Sequence, residues 1–69
     1  MTANEALANY LESLPPRERA IKKRDIRIHC RKSTDVLYDW LHGRSKIDIA
    51  WQDKITEALG INVFQNVTD

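Results

Sequence analysis

The chain has 69 residues, 42% of them hydrophobic and 30% charged, and its 11 Lys and Arg against 10 Asp and Glu give a formal net charge of +1. This length predicts one domain with one small core and leaves no room for a deep catalytic cleft. A single cysteine excludes a disulfide scaffold. No apolar run reaches the ~18–20 residues that span a membrane, and the polar N-terminus predicts no secretory signal. The two glycines and two prolines favour an all-α fold with long helices.

The first predicted helix begins at a capping box, with Thr2 at the N-cap and Glu5 three residues later. Its apolar face has helical spacing and consists of Leu7, Tyr10, Leu11 and Leu14. Pro15 ends this helix because the residue before a proline avoids the α region. Pro16 is suited to the first position of the next helix.

The second predicted helix extends from Pro16 to Cys30, a stretch without a helix breaker. At about 100° per residue, Ile21 and Ile28 lie on one side and Ile26 and Cys30 roughly opposite. We therefore expect this helix to be central in the bundle, with one apolar side against the first helix and the other against the third. Ile28 is expected to be mostly buried.

Ser33 or Thr34 can cap a third helix, which runs to His42 and ends at Gly43. The apolar residues of this helix are Val36, Leu37, Trp40 and Leu41. Asp48 can cap a fourth helix after a basic loop. The apolar residues of this last helix are Trp51, Ile55, Ala58 and Leu59.

Beyond the fourth helix, Gly60 fits a left-handed helix end, and Ile61 can pack back onto the helix. Val63 and Phe64 are expected to return to the core. Residues 65–69 are expected to fray.

The charge is unevenly distributed although the total is nearly neutral. Residues 1–16 carry a net −2, residues 17–32 a net +6, and residues 33–69 a net −3. A +6 block on one helix and the turn after it can attract phosphate. The alternative is a solvated helix face without a partner.

The stretch from Ile26 to Gly43 indicates a helix-turn-helix, with the turn at 31–33. The residues that such a motif buries would be Ile26, Cys30, Leu37 and Trp40. The stretch resembles the small Cro/repressor-type (lambda-repressor-like) helix-turn-helix domains, especially a bacterial subset that runs roughly I-R-x-x-C-G-x-S-x-x-T-V-Y-x-W-L-x-G-K/R. The matching residues are Ile26, Arg27, Cys30, Ser33, Tyr38, Trp40, Leu41, Gly43 and Arg44. A later I-x-x-x-L-G-x-x-x-F pattern matches Ile55, Leu59, Gly60 and Phe64, so the resemblance covers about residues 5–64.

The resemblance implies a lambda-repressor-like bundle of four to five helices that binds double-stranded DNA sequence-specifically. Its expected role is a phage or bacterial transcription regulator, acting as a repressor in the cytoplasm of a bacterial cell or phage-infected host. Base readout is implied for Ser33, Thr34, Asp35, Tyr38, Asp39 and His42. Phosphate contacts are implied for Lys22, Lys23, Arg27, Arg31, Lys32, Arg44 and Lys46. A homodimer is expected on a palindromic site, with Trp51, Ile61 and Phe64 as the candidate dimer surface.

Three departures from the family pattern bear on this interpretation. The family usually has glycine where Arg31 stands, and a left-handed Arg31 would cost about 1–2 kcal/mol. Val36 replaces a threonine that could bond a phosphate. Asp35 and Asp39 on the reading face repel phosphate, although carboxylates can accept from cytosine amino groups. The alternative is therefore a protein-interaction module on the same scaffold, such as an antirepressor, an antitoxin or a phage accessory protein.

Catalysis and cofactors are not expected. His29, Cys30 and His42 match no zinc-binding spacing, and Cys30 is expected to behave as a small core residue. There is no glycine-rich phosphate loop and no Ser/His/Asp set. Binding of single-stranded nucleic acid is disfavoured because the chain lacks an aromatic platform.

Overall fold

The computed structural model describes residues 1–67, which form four α-helices and no strand. The helices are α1 (Ala3–Glu12), α2 (Pro16–Cys30), α3 (Thr34–Leu41) and α4 (Ile49–Leu59). α2 contacts the other three helices and packs most extensively on α4. The all-α prediction is therefore confirmed for the described residues, and α2 is the central helix. Each of these helices is too short or too polar to cross a lipid bilayer.

The helix starts follow the predicted caps. The Glu5 N–H donates to Thr2 Oγ1 at 3.1 Å, and the Thr2 N–H donates to Glu5 Oε1 at 3.0 Å, which completes the capping box. Ser33 caps α3 by accepting from the Val36 N–H. Asp48 caps α4 by accepting from the backbone N–H three residues later. Local hydrogen bonding thus sets where each of these helices begins.

The core draws on every helix and on the segments after α3 and α4. Its buried residues are Ala3, Ala6, Leu7, Leu11, Ile26, Cys30, Leu37, Trp40, Ile47, Ile55, Leu59 and Phe64. The four residues expected to be buried at the α2–α3 junction are all among them. Ile47, in the loop before α4, is fully buried, and its sequence neighbours gave no sign of this.

The expectation that Ile28 is buried is wrong. Ile28 is 63% exposed, whereas Ile26, two positions earlier, has no exposed surface. Two positions separate side chains by about 200° around a helix, so the face that buries Ile26 turns Ile28 outward. Ile21 is also about half exposed. The other helices have 8–11 residues and do not cover both sides of α2.

Two polar side chains tie the ends of helices to distant segments. Asn4 Nδ2 donates to the carbonyl oxygens of Trp40 and Ser45, each at 2.7 Å, and so joins α1 to the end of α3. Arg19 donates to the carbonyl oxygens of Leu11, Glu12 and Leu14. These bonds satisfy carbonyl groups that a helix end leaves without intrahelical partners.

The chain after α4 returns to the core. Gly60 ends the helix at φ +76°, a left-handed conformation that glycine adopts without a steric penalty. Phe64 is buried as expected, while Ile61 remains about half exposed. Within the segment expected to fray, Val67 packs against the core cluster. Positions 68 and 69 lie outside the described residues.

The turn between α2 and α3 contains the one left-handed non-glycine residue of the described chain, Arg31, at φ 54° and ψ 45°. Its N–H donates to the Ile28 carbonyl oxygen at 3.3 Å, and the Lys32 N–H donates to that of Arg27 at 3.0 Å. These bonds close the end of α2 in the manner of a glycine terminator. Arg31 therefore has the left-handed conformation that was expected if the turn were kept.

Replacement of Arg31 by glycine is expected to stabilise the fold. The free energy of unfolding of Arg31→Gly should be about 1 kcal/mol higher than that of Arg31→Ala, because glycine removes the steric cost of the left-handed conformation and alanine retains it. Urea denaturation at neutral pH measures the difference. Equal stability of the two variants would contradict a left-handed residue at this position.

The two isoleucines of α2 provide a direct test of helix rotation. Ile26→Val should lower the free energy of unfolding by about 1 kcal/mol, because it removes a methylene from a filled core. Ile28→Val should change it by less than about 0.5 kcal/mol, because the side chain is mostly solvated. Thermal unfolding followed by circular dichroism compares the pair, and the opposite ranking would mean that α2 is rotated.

Candidate nucleic-acid interface

The outer face of α3 is polar and largely accessible. Leu37 and Trp40 point into the core, and the 3.6-residue repeat therefore directs the intervening positions outward. The residues predicted to read bases lie on this face, with Ser33, Thr34, Asp35, Tyr38 and His42 exposed and Asp39 half-buried. The Ser33 hydroxyl is engaged as the helix cap but keeps its own O–H to donate.

Three side chains form a cluster at the C-terminal end of this face. The rings of Tyr38 and His42, one turn apart, have centroids 4.0 Å apart at an interplanar angle of 30°. The Arg44 guanidinium carbon lies 5.5 Å from the Tyr38 ring centroid, a cation–π arrangement. Gly43, at φ +73°, lets the chain turn back, and the Arg44 N–H then donates to the Asp39 carbonyl oxygen at 2.9 Å. The backbone turn thus brings a cation to the α3 face.

Lys23 of α2 also lies beside this face. A shallow groove of about 230 Å³ separates α2 from α3, and it is lined by Lys23, Thr34, Leu37, Tyr38, Leu41 and His42. A positive charge on one helix therefore adjoins the polar side chains of the next. Neither Lys23 nor Arg44 lies within α3, so the grouping depends on the tertiary fold.

Two of the predicted phosphate contacts, Arg31 and Lys32, lie with Trp51 of α4. Arg31 lines a different groove, together with Trp51 and Lys54 of α4. The Lys32 ammonium lies 4.3 Å from the centroid of the Trp51 ring. The Trp51 ring packs on Trp40, with the two ring centroids 5.8 Å apart. We call Lys23 and Arg44 the first basic group, and Arg31, Lys32 and Lys54 the second basic group. Of the remaining predicted contacts, Lys22 and Arg27 are half-buried and Lys46 is exposed.

Charge pairing is sparse in residues 1–67, where the one ion pair joins His29 and Glu57. The arginines and lysines of α2 therefore have no carboxylate partner within the described chain. Asp35 and Asp39 likewise make no ion pair there. Unpaired charges of both signs remain on and around α3, and both are available to an external partner.

The His29–Glu57 pair joins α2 to α4, with Nε2 and Oε2 2.9 Å apart. The hydrogen bond from His29 is the main cause of a lowered pKa of the Glu57 carboxyl, and the nearby Lys54 charge lowers this pKa further. The pair was not foreseen because the two residues are 28 positions apart. It lies at the surface, on the side of α4 that faces α2.

Cys30 is a core residue rather than a reactive one. Burial raises the pKa of its thiol, and the charges of Lys54 and Lys32 oppose this increase. A thiol with a raised pKa is largely protonated at neutral pH and is a poor nucleophile or metal ligand. In residues 1–67, no three His, Cys, Asp or Glu side chains come together in an arrangement that could hold a metal ion.

The expected dimer surface is corrected in part. Phe64 is 7% exposed and belongs to the core of its own chain, so it is not available to a second copy. Trp51 is half-buried between Trp40 and Lys32. Ile61 is the one residue of this set that is exposed, because the chain after Gly60 turns Phe64 inward.

Comparison of the chain with models of protein families, with curated proteins and with solved structures gave no match. The function is therefore inferred from the side chains that the fold brings together. These are the polar face of α3 and the two basic groups beside it.

The His29–Glu57 pair makes a pH-dependent contribution to stability. Because the folded-state pKa of Glu57 is below its unfolded value, this contribution is present above the unfolded pKa and is lost as the pH falls through the folded pKa. In His29→Ala the pKa of Glu57 should rise toward its ordinary value, which an NMR titration of the Glu57 side-chain carboxyl measures. His42→Ala is the control and should leave this pKa unchanged, and an unchanged value in His29→Ala would contradict the hydrogen bond.

Proposed function

We propose that this chain is a non-catalytic helix-turn-helix DNA-binding protein of the lambda-repressor-like type, which places α3 in the major groove of double-stranded DNA. The observation that carries the proposal is the exposed polar face of α3, flanked by Lys23 and Arg44 without carboxylate partners in the described chain. A helix with polar outward side chains and flanking cations meets the requirements for major-groove binding.

Base contacts come from the outward side chains of α3. Thr34 and Asp35 lie in its first turn, the part that approaches base edges in this docking mode. Asp35 and Asp39 accept hydrogen bonds from cytosine amino groups, whereas Tyr38 and Thr34 have hydroxyls that both donate and accept. The two carboxylates therefore direct the chain toward G·C pairs and away from non-specific binding.

Phosphate contacts come from the cations beside α3. Lys23 lines a groove with Tyr38, and the Arg44 guanidinium lies over the Tyr38 ring. Lys22, Arg27 and Lys46 extend the positive surface. Each phosphate that is neutralised releases counterions, so the affinity should fall steeply with salt. Because Arg44 stacks on Tyr38, its guanidinium is already restricted before DNA binds. The entropic cost of ordering this side chain on binding is therefore smaller.

One small module makes few base contacts, so a homodimer on a palindromic site supplies the remaining specificity. Half-sites would lie about 34 Å apart, one turn of B-DNA. Occupation of a promoter by such a dimer blocks transcription, which makes repression in a bacterium or a phage-infected cell the expected outcome.

Reversal of one flanking charge should weaken DNA binding. Arg44→Glu is expected to lower the affinity for a mixed-sequence duplex by about tenfold at low salt and to reduce the log–log salt slope by about 1, because one phosphate contact is lost and one repulsion is added. Fluorescence anisotropy at several salt concentrations measures both quantities.

Arg24→Glu is the matched control, since Arg24 is exposed on α2 and carries the same charge change outside the interface. The DNA affinity of Arg24→Glu should fall much less than that of Arg44→Glu. If both variants lose the same DNA affinity, the effect of Arg44→Glu comes from the net charge of the protein and not from a local contact. The absence of any salt-dependent binding would contradict DNA binding altogether.

A protein-interaction module is the second candidate, and the unpaired Asp35 on the exposed α3 face favours it. A basic protein surface would pair with this carboxylate. In that case Asp35→Asn would weaken the protein complex, whereas Arg44→Glu would leave it nearly unchanged. The two variants therefore separate the candidates by opposite rankings.

A further inference from the structure

A second groove lies between the C-terminal end of α2 and the middle of α4, and the α3 face does not use it. It is an open groove with a volume of about 640 Å³. The residues that line it are Ile28, His29, Cys30, Arg31, Trp51 and Lys54.

The groove is positively charged. Arg31 and Lys54 line it, and the Lys32 ammonium lies over the Trp51 ring at its edge. Trp51 links these cations, because it lines the groove together with Lys54 and its ring carries the Lys32 ammonium. Two acids, Asp25 and Glu57, line the adjoining depression with Ile28 and His29, and Glu57 is paired with His29. The lining of the groove itself includes two cations, Arg31 and Lys54, and no carboxylate.

The groove also has apolar surface, which a purely electrostatic contact with DNA would not need. Ile28 is the most exposed large apolar side chain of α2, and it lines the groove together with Trp51 and Lys54 of α4. An exposed isoleucine beside a tryptophan gives a ligand a surface on which to bury carbon atoms.

We propose that this groove binds the phosphate group of a phosphate ester, with the cations of the second basic group around the phosphate and the organic part against Ile28 and Trp51. Arginine presents a planar fork of donors that matches phosphate oxygens, and lysine adds a mobile point charge. The phosphate comes either from a free small ester or from the DNA backbone next to the α3 site. The site goes beyond the proposed function, because its occupation by a free ester requires no DNA.

Titration with phenyl phosphate tests the site in the absence of DNA. Saturable NMR shifts are expected at the Trp51 indole and at the amides of Cys30 and Arg31. Phenyl phosphate should bind about tenfold more tightly than inorganic phosphate, because its ring buries apolar surface. Shifts spread evenly over the basic residues of α2, or no saturable shift, would overturn the proposal.

Substitutions at two exposed positions, Lys54 and Ile28, separate the charged and apolar contributions to phenyl phosphate binding without disturbing the core. Lys54→Gln should weaken phenyl phosphate binding about threefold to fivefold, whereas Arg24→Gln, with the same charge loss outside the groove, should not. Ile28→Ser should weaken the binding of phenyl phosphate and leave that of inorganic phosphate unchanged. Equal effects of Lys54→Gln and Arg24→Gln would contradict a localised site.

A mixed-sequence duplex distinguishes the two sources of the phosphate. If the DNA backbone supplies it, Lys54→Gln lowers the DNA affinity and phenyl phosphate competes with DNA. If a free ester is the ligand, Lys54→Gln binds DNA as Arg24→Gln does and still loses affinity for phenyl phosphate. The result with phenyl phosphate alone stands whether or not Arg44 and the α3 face bind DNA.

Discussion

The left-handed conformation of Arg31 is the constraint on which the arrangement of α2 and α3 depends. It ends α2 directly after the buried Cys30 and starts α3 three residues later, at a Ser33 cap. Leu37 can then enter the core that Cys30 already faces, and the polar side of α3 is left in solvent. A residue restricted to right-handed backbone would continue the helix and separate these side chains. The steric cost of an arginine here is about 1–2 kcal/mol, and the buried contacts on both sides of the turn offset it.

The distribution of charge follows from this turn. The cations of α2 and of the loop after α3 make no ion pair with a carboxylate in residues 1–67, and several of them fall into two separate groups. Lys23 and Arg44 flank the α3 face, whereas Arg31, Lys32 and Lys54 surround Trp51. A block that looks continuous in the sequence therefore becomes two basic groups with different surroundings. The first adjoins hydrogen-bonding side chains, and the second adjoins apolar ones.

Several features that hold the molecule together left no trace in local sequence patterns. Asn4 bonds to carbonyl oxygens 36 and 41 positions away, and Arg19 closes the end of α1 from a different helix. Lys54 joins the second basic group although the sequence gave it no role. Ile28 has the spacing of a core residue and is exposed, because helical periodicity shows which residues share a face but not which face the rest of the chain covers.

The sequence by itself determined the all-α class, the capping residues, the breaks between helices and the buried set at the α2–α3 junction, because each depends on contacts within a few residues. It also placed the polar side chains of α3 on one face of that helix. The tertiary structure alone decided the rotation of α2, the partner of His29 and the division of the cations into two groups. Those features depend on which helix packs against which, and in a chain of 69 residues that choice is made by long-range burial rather than by local propensity.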